Sequence, residues 1–517
     1  MKKIKKMITG IIAVLIVTTP AVSCSADKSH KAGSLSIEEE TTIDTTESTT
    51  TKKSTTTASG TTTSKKTTRK TSTTKKTTTA KTTETETTTT DTTEEPVTEP
   101  PTTAEPVAVP AQNYGERANI GGSEIVWLSD YDLNPQIGKE RPTPVALFED
   151  VFGGKICHVQ TALKNKSSMM SAMILAGDKL DMVQYEQGTY PNGVISQQYQ
   201  ALDPYFRSMG LNYDIWENME DIIDALSYKG QHYIIPYSFS NPLVLMYSKK
   251  LIRDYGLTDP YDLYKNNQWT WENFLNISQT YRTKTAKPAV RGGRFGNALV
   301  HSTGLMVVGS ENGNFVNNIH HESLKNAELF MQEMGRNRLY STASGDSFST
   351  ETLFFATESW ILGTENVKNP GMDLMVVPVP KPSESDGNYT LCDFDAKMLV
   401  KNSAMGDAVA TYIMCERIVA SQPEYKAGAK AYATTPIQSS GGAVKSYITA
   451  EQYDALQSCT DPKITLPVFD YIWAMNDKEG VMDGLSNAYL MNGGSEADWT
   501  NLSNKYYDII NQMINEY

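Results

Sequence analysis

Residues Tyr233–Lys250, YIIPYSFSNPLVLMYSKK, decide how this chain folds. Two apolar runs flank a polar insert, Ser238-Phe239-Ser240-Asn241, with Pro236 and Pro242 on either side. A single buried strand has no use for such an insert. One structure that accommodates it is a hairpin with the insert as its turn. The other is a strand that leaves one domain and enters another, its polar middle at the junction.

Around this stretch the elements follow a regular order. SEIVWLSD (123–130) and GKICHVQT (154–161) read as strands, SSMMSAMILAGD (167–178) as a helix ending at Gly177, and LDMVQY (180–185) as a third strand. Strand, helix and strand at this spacing describe a βαβ unit and a parallel sheet. Asp178, beside the helix end, reads as a structural turn acid. Downstream, SKKLIRDYGL (248–257) and WTWENFLNISQTYR (269–282) read as helices, the second capped by Thr270. HSTGLMVVGSENGNFV (301–316) reads as a helix and a Gly turn, and ETLFFATESWILGT (351–364) as a helix followed by a strand. MDLMVVPVPKP (372–382) is a strand running into a Pro-rich crossing, DAKMLVKNS (395–403) a strand, and DAVATYIMCERIVAS (407–421) a helix. The chain ends on a helix whose Tyr506, Ile509, Ile510, Met513, Ile514 and Tyr517 share one face, with a capping-box pattern at Ser495–Asp498.

The N-terminus has a different character. Lys2, Lys3, Lys5 and Lys6 precede an uncharged, mainly apolar run, Ile8–Val17, which is short against the roughly 20 residues of a membrane span. It closes on Ala21-Val22-Ser23-Cys24, which resembles the lipobox of bacterial lipoproteins, in which the Cys thiol takes a diacylglycerol. Residues 1–24 are therefore expected to be a lipoprotein signal peptide with Cys24 as the lipidated residue. Residues 25–118 are rich in Thr, with Lys pairs and then an acidic, Pro-containing end. With almost no large apolar residues, this segment cannot offset its ordering entropy and is expected to be a disordered tether. As a loose coil it spans about 50 Å.

The body, from 119 to 517, is too long for one core and predicts two lobes. The chain carries −13; residues 1–24 hold +4 and residues 25–110 hold −2, so the rest carries −15. Such a body does not attract nucleic acid. Cys157, Cys392, Cys415 and Cys459 are scattered without metal-ligand spacing and read by default as free thiols, a disulfide staying open in an exported chain. HHESLK (320–325) lacks the second His of a zinc protease, and the chain has no GxSxG, P-loop or dinucleotide fingerprint. No metal and no cofactor are expected.

In this order the segments resemble a family. AGDKLDMVQYEQGTY (176–190), ALDPYF (201–206), LSYKGQHYIIPYSFSNPLVLMYSKKLIRDYGL (226–257), QWTWENF (268–274), FFATESWILGT (354–364) and VVPVPKP (376–382) are similar to the extracellular solute-binding lipoproteins of ABC importers, in the carbohydrate-type branch. The resemblance implies an α/β, two-lobe, periplasmic-binding-protein-like fold of type II, with lobes joined by crossing hinge segments and ligand held between them. It implies lobe 1 at 119–238, lobe 2 at 239–390, a return to lobe 1 at 391–455, and a C-terminal helical segment, 456–517, mainly on lobe 2. It also implies a monomer on the outer face of the cell membrane, a small solute such as a sugar or oligosaccharide as ligand, and permease subunits as partners. SFSN would then be the first crossing.

Ligands of open α/β sheets bind where strand C-terminal ends meet a crevice. That selects Trp127, Ser129 and Asp130 after the first strand, and Tyr185, Glu186 and Gln187 after the third, with Tyr237 and Asn241 at the crossing. A sugar presents C–H faces and hydroxyl rims, so its site needs aromatic platforms and polar groups. Tyr185 and Trp473, the latter in FDYIWAMND (469–477), are the expected platforms, while Trp360 reads as core and Glu365, just past it, as a cleft residue. Asp393 and Asp395, in CDFDAK (392–397), lie on one face of a strand. The plain alternatives are solvated loop acids and a core tryptophan. A ligand sensor or polysaccharide scaffold of the same fold is the alternative function. A glycosidase needs two carboxyls roughly 5–10 Å apart, a condition that many pairs in an acidic protein meet.

Overall fold

The computed structural model describes residues 119–517, apart from 136–140, 187, 342–346, 384, 386, 476–479 and 493–495. The signal peptide, Cys24, the Thr-rich segment, Gln187 and Ser495 lie outside the described residues. Among the described residues no helix is long and apolar enough to cross a membrane.

The first sheet has four strands in the order Lys397–Leu399, Met182–Gln184, Glu124–Ser129, Lys155–Gln160. Its three N-terminal strands run parallel, as the βαβ reading expects, and Lys397–Leu399 joins antiparallel. Glu124–Ser129 shows why the sheet is central: Ile125 and Trp127 enter one core and Val126 and Leu128 the other. A strand alternates its side chains between faces, so both faces of this one are covered. The helix Lys166–Ala176 stops at Gly177, whose φ of 74° suits a residue without Cβ. Asp178 beyond it is exposed and sits in the turn, its backbone N–H donating to Met173 O at 3.0 Å, while Asp181 is the acid buried under the sheet. Its carboxylate accepts from Val126 N at 2.8 Å and from Ser403 Oγ at 2.6 Å, tying the first strand to the return segment.

The second sheet runs Leu374–Pro378, Leu243–Ser248, Phe354–Glu358, Val290–Arg291, Tyr340–Ser341. All six residues of Leu243–Ser248 are buried. Burying each large apolar side chain stabilises by roughly 1.5–3 kcal/mol, so this strand is the anchor of its sheet. Two readings of the surrounding chain need correction. Residues 351–364 form a strand and then a helix, not the reverse, because Phe354 and Phe355 pack into the sheet. Residues 308–317 form a hairpin about Asn312-Gly313.

The polar insert of the opening stretch is neither a turn nor part of either sheet. Ser238–Ser240 pairs antiparallel with Asp393–Asp395, so two passages of the chain form a ribbon between the sheets. Asn241 then takes a φ of 47°, a left-handed conformation that Asn tolerates, and redirects the chain at Pro242 into Leu243–Ser248. Asn388–Leu391 and Thr465–Val468 form a further two-stranded, parallel connection. The hairpin alternative is thereby excluded.

Helix Gly406–Ser421 packs on the first sheet, and its Arg417 donates from Nε to Ile215 O at 2.5 Å and from Nη1 to Tyr237 O at 3.1 Å. In the last helix, Glu496–Asn515, Tyr506 and Ile510 are fully buried while Ile509, Met513 and Ile514 pack partly, with Tyr517 just beyond its end. Cys392, Cys415 and Cys459 are thiols outside any disulfide, as the default reading has them.

Two outcomes follow. Glu328, 1% exposed between helices Glu322–Arg336 and Val481–Asn492, has its carboxyl pushed well above the usual range by burial. The folded state therefore keeps a proton that the unfolded chain sheds above about pH 4.3, and stability falls as pH rises through that window. Glu328→Gln is expected to raise the Tm at pH 7.5 and to leave it nearly unchanged at pH 4, as read by calorimetry; equal shifts at both pH values would refute this. Asp395→Ala removes the acceptor of two ribbon hydroxyls, and urea unfolding is expected to show a loss of about 1–3 kcal/mol; Asp395→Asn, which keeps an acceptor, should lose less.

Candidate functional site: a cleft beneath the crossing ribbon

A cavity of about 360 Å³ lies against the ribbon, lined from both sheets and from both connections. The first sheet supplies Gln184, Tyr185 and Glu186, at the C-terminal end of Met182–Gln184. The ribbon supplies Asn241, Asp393 and Asp395, and the second sheet supplies Glu358, with Arg294 just before helix Phe295–His301. Phe469 and Trp473 follow the strand Thr465–Val468.

The walls are fixed by polar contacts. Ser238 and Ser240 donate to Asp395 at 2.8 and 3.2 Å, and Asn241 Nδ2 donates to Asp393 at 2.9 Å. Burial raises the Asp395 carboxyl, opposed by these hydroxyls and by the Lys397 ammonium. Lys397 is buried below the site; it donates to Gln184 Oε1 and, at 3.0 Å, to Tyr237 OH, with Glu416 at 3.9 Å. Burial pulls its pKa down, and Glu416 and Asp395 oppose that. Lys166 contacts Glu186 from the first lobe. On the opposite wall Arg294 pairs with Glu358 at 3.3 Å and lies 5.5 Å from the Trp473 ring centroid.

The floor is aromatic. Phe394 stacks on Phe469 at 5.3 Å and meets Phe239 edge-on at 5.4 Å, while Tyr185 meets Phe469 at 6.5 Å. The Phe469–Trp473 loop is held by Asp470, whose carboxylate accepts from the backbone N–H groups of Val307, Val308 and Ile472 and contacts His301 Nε2 at 3.0 Å. Trp473 Nε1 is shut off from solvent and has no hydrogen-bond partner among the described residues. Such a donor is costly to leave unpaired.

Six of the residues singled out in the sequence meet at this cavity: Tyr185, Glu186, Asn241, Asp393, Asp395 and Trp473. The others do not line it. Trp127 and Ser129 are fully buried because the end of their strand is covered on both faces; the Trp127 ring lies 5.0 Å from the Lys397 ammonium. Tyr237 is buried as a partner of Lys397, and Asp130 is exposed outside the lining. Glu365 points into the second lobe, where it accepts from Phe348 N at 3.2 Å, Asn369 Nδ2 at 2.9 Å and Lys368 Nζ at 2.7 Å. The strand ends at Glu358, and the helix Leu362–Lys368 carries Glu365 inward. Trp360, expected in the core, is 63% exposed and donates at 2.8 Å to Glu358, a residue of the cavity wall. Arg294, Glu358 and Phe469 were missed; lone residues beside short strands carry no periodic signal. Among the described residues no cluster of His, Cys, Asp and Glu could hold a metal ion.

Residues 161–346 match the model of the bacterial extracellular solute-binding proteins. No curated protein matches the sequence. Among solved structures, the fold is similar to the sugar-binding protein MalE of Xanthomonas citri, at 14% identity and a TM-score of 0.54, over 75% of this chain and 98% of that one. It is also similar to the cyclic alpha-maltosyl-1,6-maltose binding protein of Arthrobacter globiformis, at 13% identity and a TM-score of 0.54, over 77% and 100%. Apo RafE of Streptococcus pneumoniae is similar at 15% identity and a TM-score of 0.50, over 76% and 98%. Two sheets joined by crossing strands, a cavity against the crossing, and the match across 161–346 lead to one conclusion: the chain has a two-lobed fold similar to that of the sugar-binding proteins above, and its residues 161–346 match the bacterial extracellular solute-binding proteins.

Proposed function

We propose that the cleft captures a sugar or oligosaccharide outside the cell and delivers it to the permease of an ABC importer. The observation that carries this reading is the composition of the cavity wall. Aromatic Tyr185, Phe469 and Trp473 stand beside hydrogen-bond acceptors on Glu186, Glu358, Asp393 and Asp395. C–H faces pack on the rings while hydroxyls donate to carboxylates, a stronger contact than one between neutral groups. Two structural relatives are named for binding sugars, which agrees.

Ligand that reaches Glu186 on one lobe and Glu358 on the other favours the closed arrangement, because it contacts both only there. We place the lobe boundaries at the ribbon, at Ser238–Ser240 and Asp393–Asp395. The chain works as a monomer, held to the outer membrane face by lipid on Cys24, with residues 25–118 as a tether.

The test is thermal unfolding of the mature chain against a saccharide panel. A bound sugar raises the Tm by mass action, by about 2.7 kcal/mol of stability at 100 times its Kd. Trp360→Ala is expected to weaken that ligand about tenfold, near 1.4 kcal/mol, without changing unliganded unfolding. A panel that leaves the Tm unmoved, or a ligand that is hydrolysed during incubation, would overturn the reading. Mass spectrometry of the mature N-terminal peptide is expected to show a diacylglyceryl thioether on Cys24; a thiol there that is free or in a disulfide rules out the anchor.

A further inference from the structure

The first lobe presents one amide to the cleft, that of half-buried Gln184, and the sheet below it fixes which end of that amide a ligand meets. Lys397 stands directly across from Gln184 in the antiparallel pair of Met182–Gln184 with Lys397–Leu399, so the two side chains leave the sheet on one face. Lys397 is 2% exposed and its ammonium is caged. Tyr237 OH lies at 3.0 Å, Glu416 at 3.9 Å, and the Trp127 and Tyr237 rings at 5.0 and 5.4 Å. Its further contact is to Gln184 Oε1.

An ammonium only donates, so it holds the carbonyl end of the amide; a flipped amide would set N–H against N–H. The Tyr131 hydroxyl donates to the same oxygen at 3.4 Å. Gln184 thus has its acceptor engaged and offers N–H groups. The Tyr237 hydroxyl engages one of the two, and the second is what the amide has left for the cleft. The rest of the wall has the opposite polarity. Glu186, Glu358, Asp393 and Asp395 supply acceptors, while Asn241 is turned to Asp393 and Arg294 to Glu358.

We propose that Gln184 is a specificity-determining hydrogen-bond donor of the cleft and that Lys397 is its positioning residue. One oxygen of a polyol accepts from Gln184 while neighbouring hydroxyls donate to the carboxylates, so the ring is bound in one orientation. This rests on the sugar-binding reading of the cleft.

The experiment is calorimetric titration of the mature chain with the saccharide that raises its Tm most. It is repeated with Gln184→Glu, Gln184→Met, Lys397→Met and the double variant of the two Met substitutions. Gln184→Glu keeps an oxygen for the buried ammonium but has no N–H. It is expected to unfold at no lower temperature than the unaltered chain and to bind at least about tenfold more weakly. Gln184→Met should lose about threefold to tenfold. Lys397→Met frees the amide and should also weaken binding, yet the double variant should bind no more weakly than Gln184→Met alone, because Lys397 acts through Gln184. If Lys397→Met does not fold, the Gln184 variants decide. A Gln184→Glu chain that binds as tightly as the unaltered one, or losses that multiply in the double variant, overturns the proposal and leaves the cleft reading intact. Binding of no saccharide at all overturns both.

Discussion

The structure depends on a short ribbon. Three residues, Ser238–Ser240, pair with three others, Asp393–Asp395, and connect the two sheets. Backbone groups in so short a ladder need side-chain support, and Asp395 provides it by accepting from both serines of the facing strand. The alternation of the strand puts Asp393 and Asp395 on one face and Phe394 on the other, between Phe239 and Phe469, and all three line the cavity. One element thus does two things: it joins the lobes and it forms part of the site wall. A change in one is therefore felt in the other.

The charge of the site follows the same economy. The body is strongly acidic, and the cavity wall carries Glu186, Glu358, Asp393 and Asp395 with one arginine among them. Each acid has a neighbour that limits repulsion: Lys166 for Glu186, Arg294 for Glu358, Asn241 for Asp393 and the ribbon hydroxyls for Asp395. Every one of those contacts still leaves acceptor capacity, since a carboxylate offers about four lone-pair sites. The wall is polar without being saturated, which is what recognition of hydroxyl groups requires.

Much of the frame was legible because it is periodic. Alternating Ile125, Val126, Trp127 and Leu128, and the unbroken Leu243–Ser248, can only be strands buried on two faces. The polar insert between apolar runs pointed to a crossing, and the two aspartates spaced by two pointed to a strand face. What could not be read was the exact residue at which a strand stops. Around Glu358 a shift of a few residues exchanges the roles of Glu358, Trp360 and Glu365, so the tryptophan faces solvent and the glutamate enters the core. The same limit applies at Asp178 and Asp181, three residues apart, of which only the second is under the sheet. Arg294 and Phe469 come to the cavity from distant segments, and no local pattern announces them.

The second connection explains why the cavity has one firm side. The loop after Thr465–Val468 is not free to follow the ribbon, because Asp470 is buried and ties it to the backbone at Val307 and Val308 and to His301, all on the second lobe. Removing such a charge from water is tolerated only where its acceptor sites are filled, and here three backbone N–H groups and an imidazole fill them. Trp473 and Phe469 are therefore fixed relative to Arg294 and Glu358. Tyr185 and Glu186 are fixed instead to the first sheet, through Ala396 O and Lys166. On the proposed reading, a ligand meets one rigid half-site on each lobe, and only the ribbon between them has to bend for the two to come together.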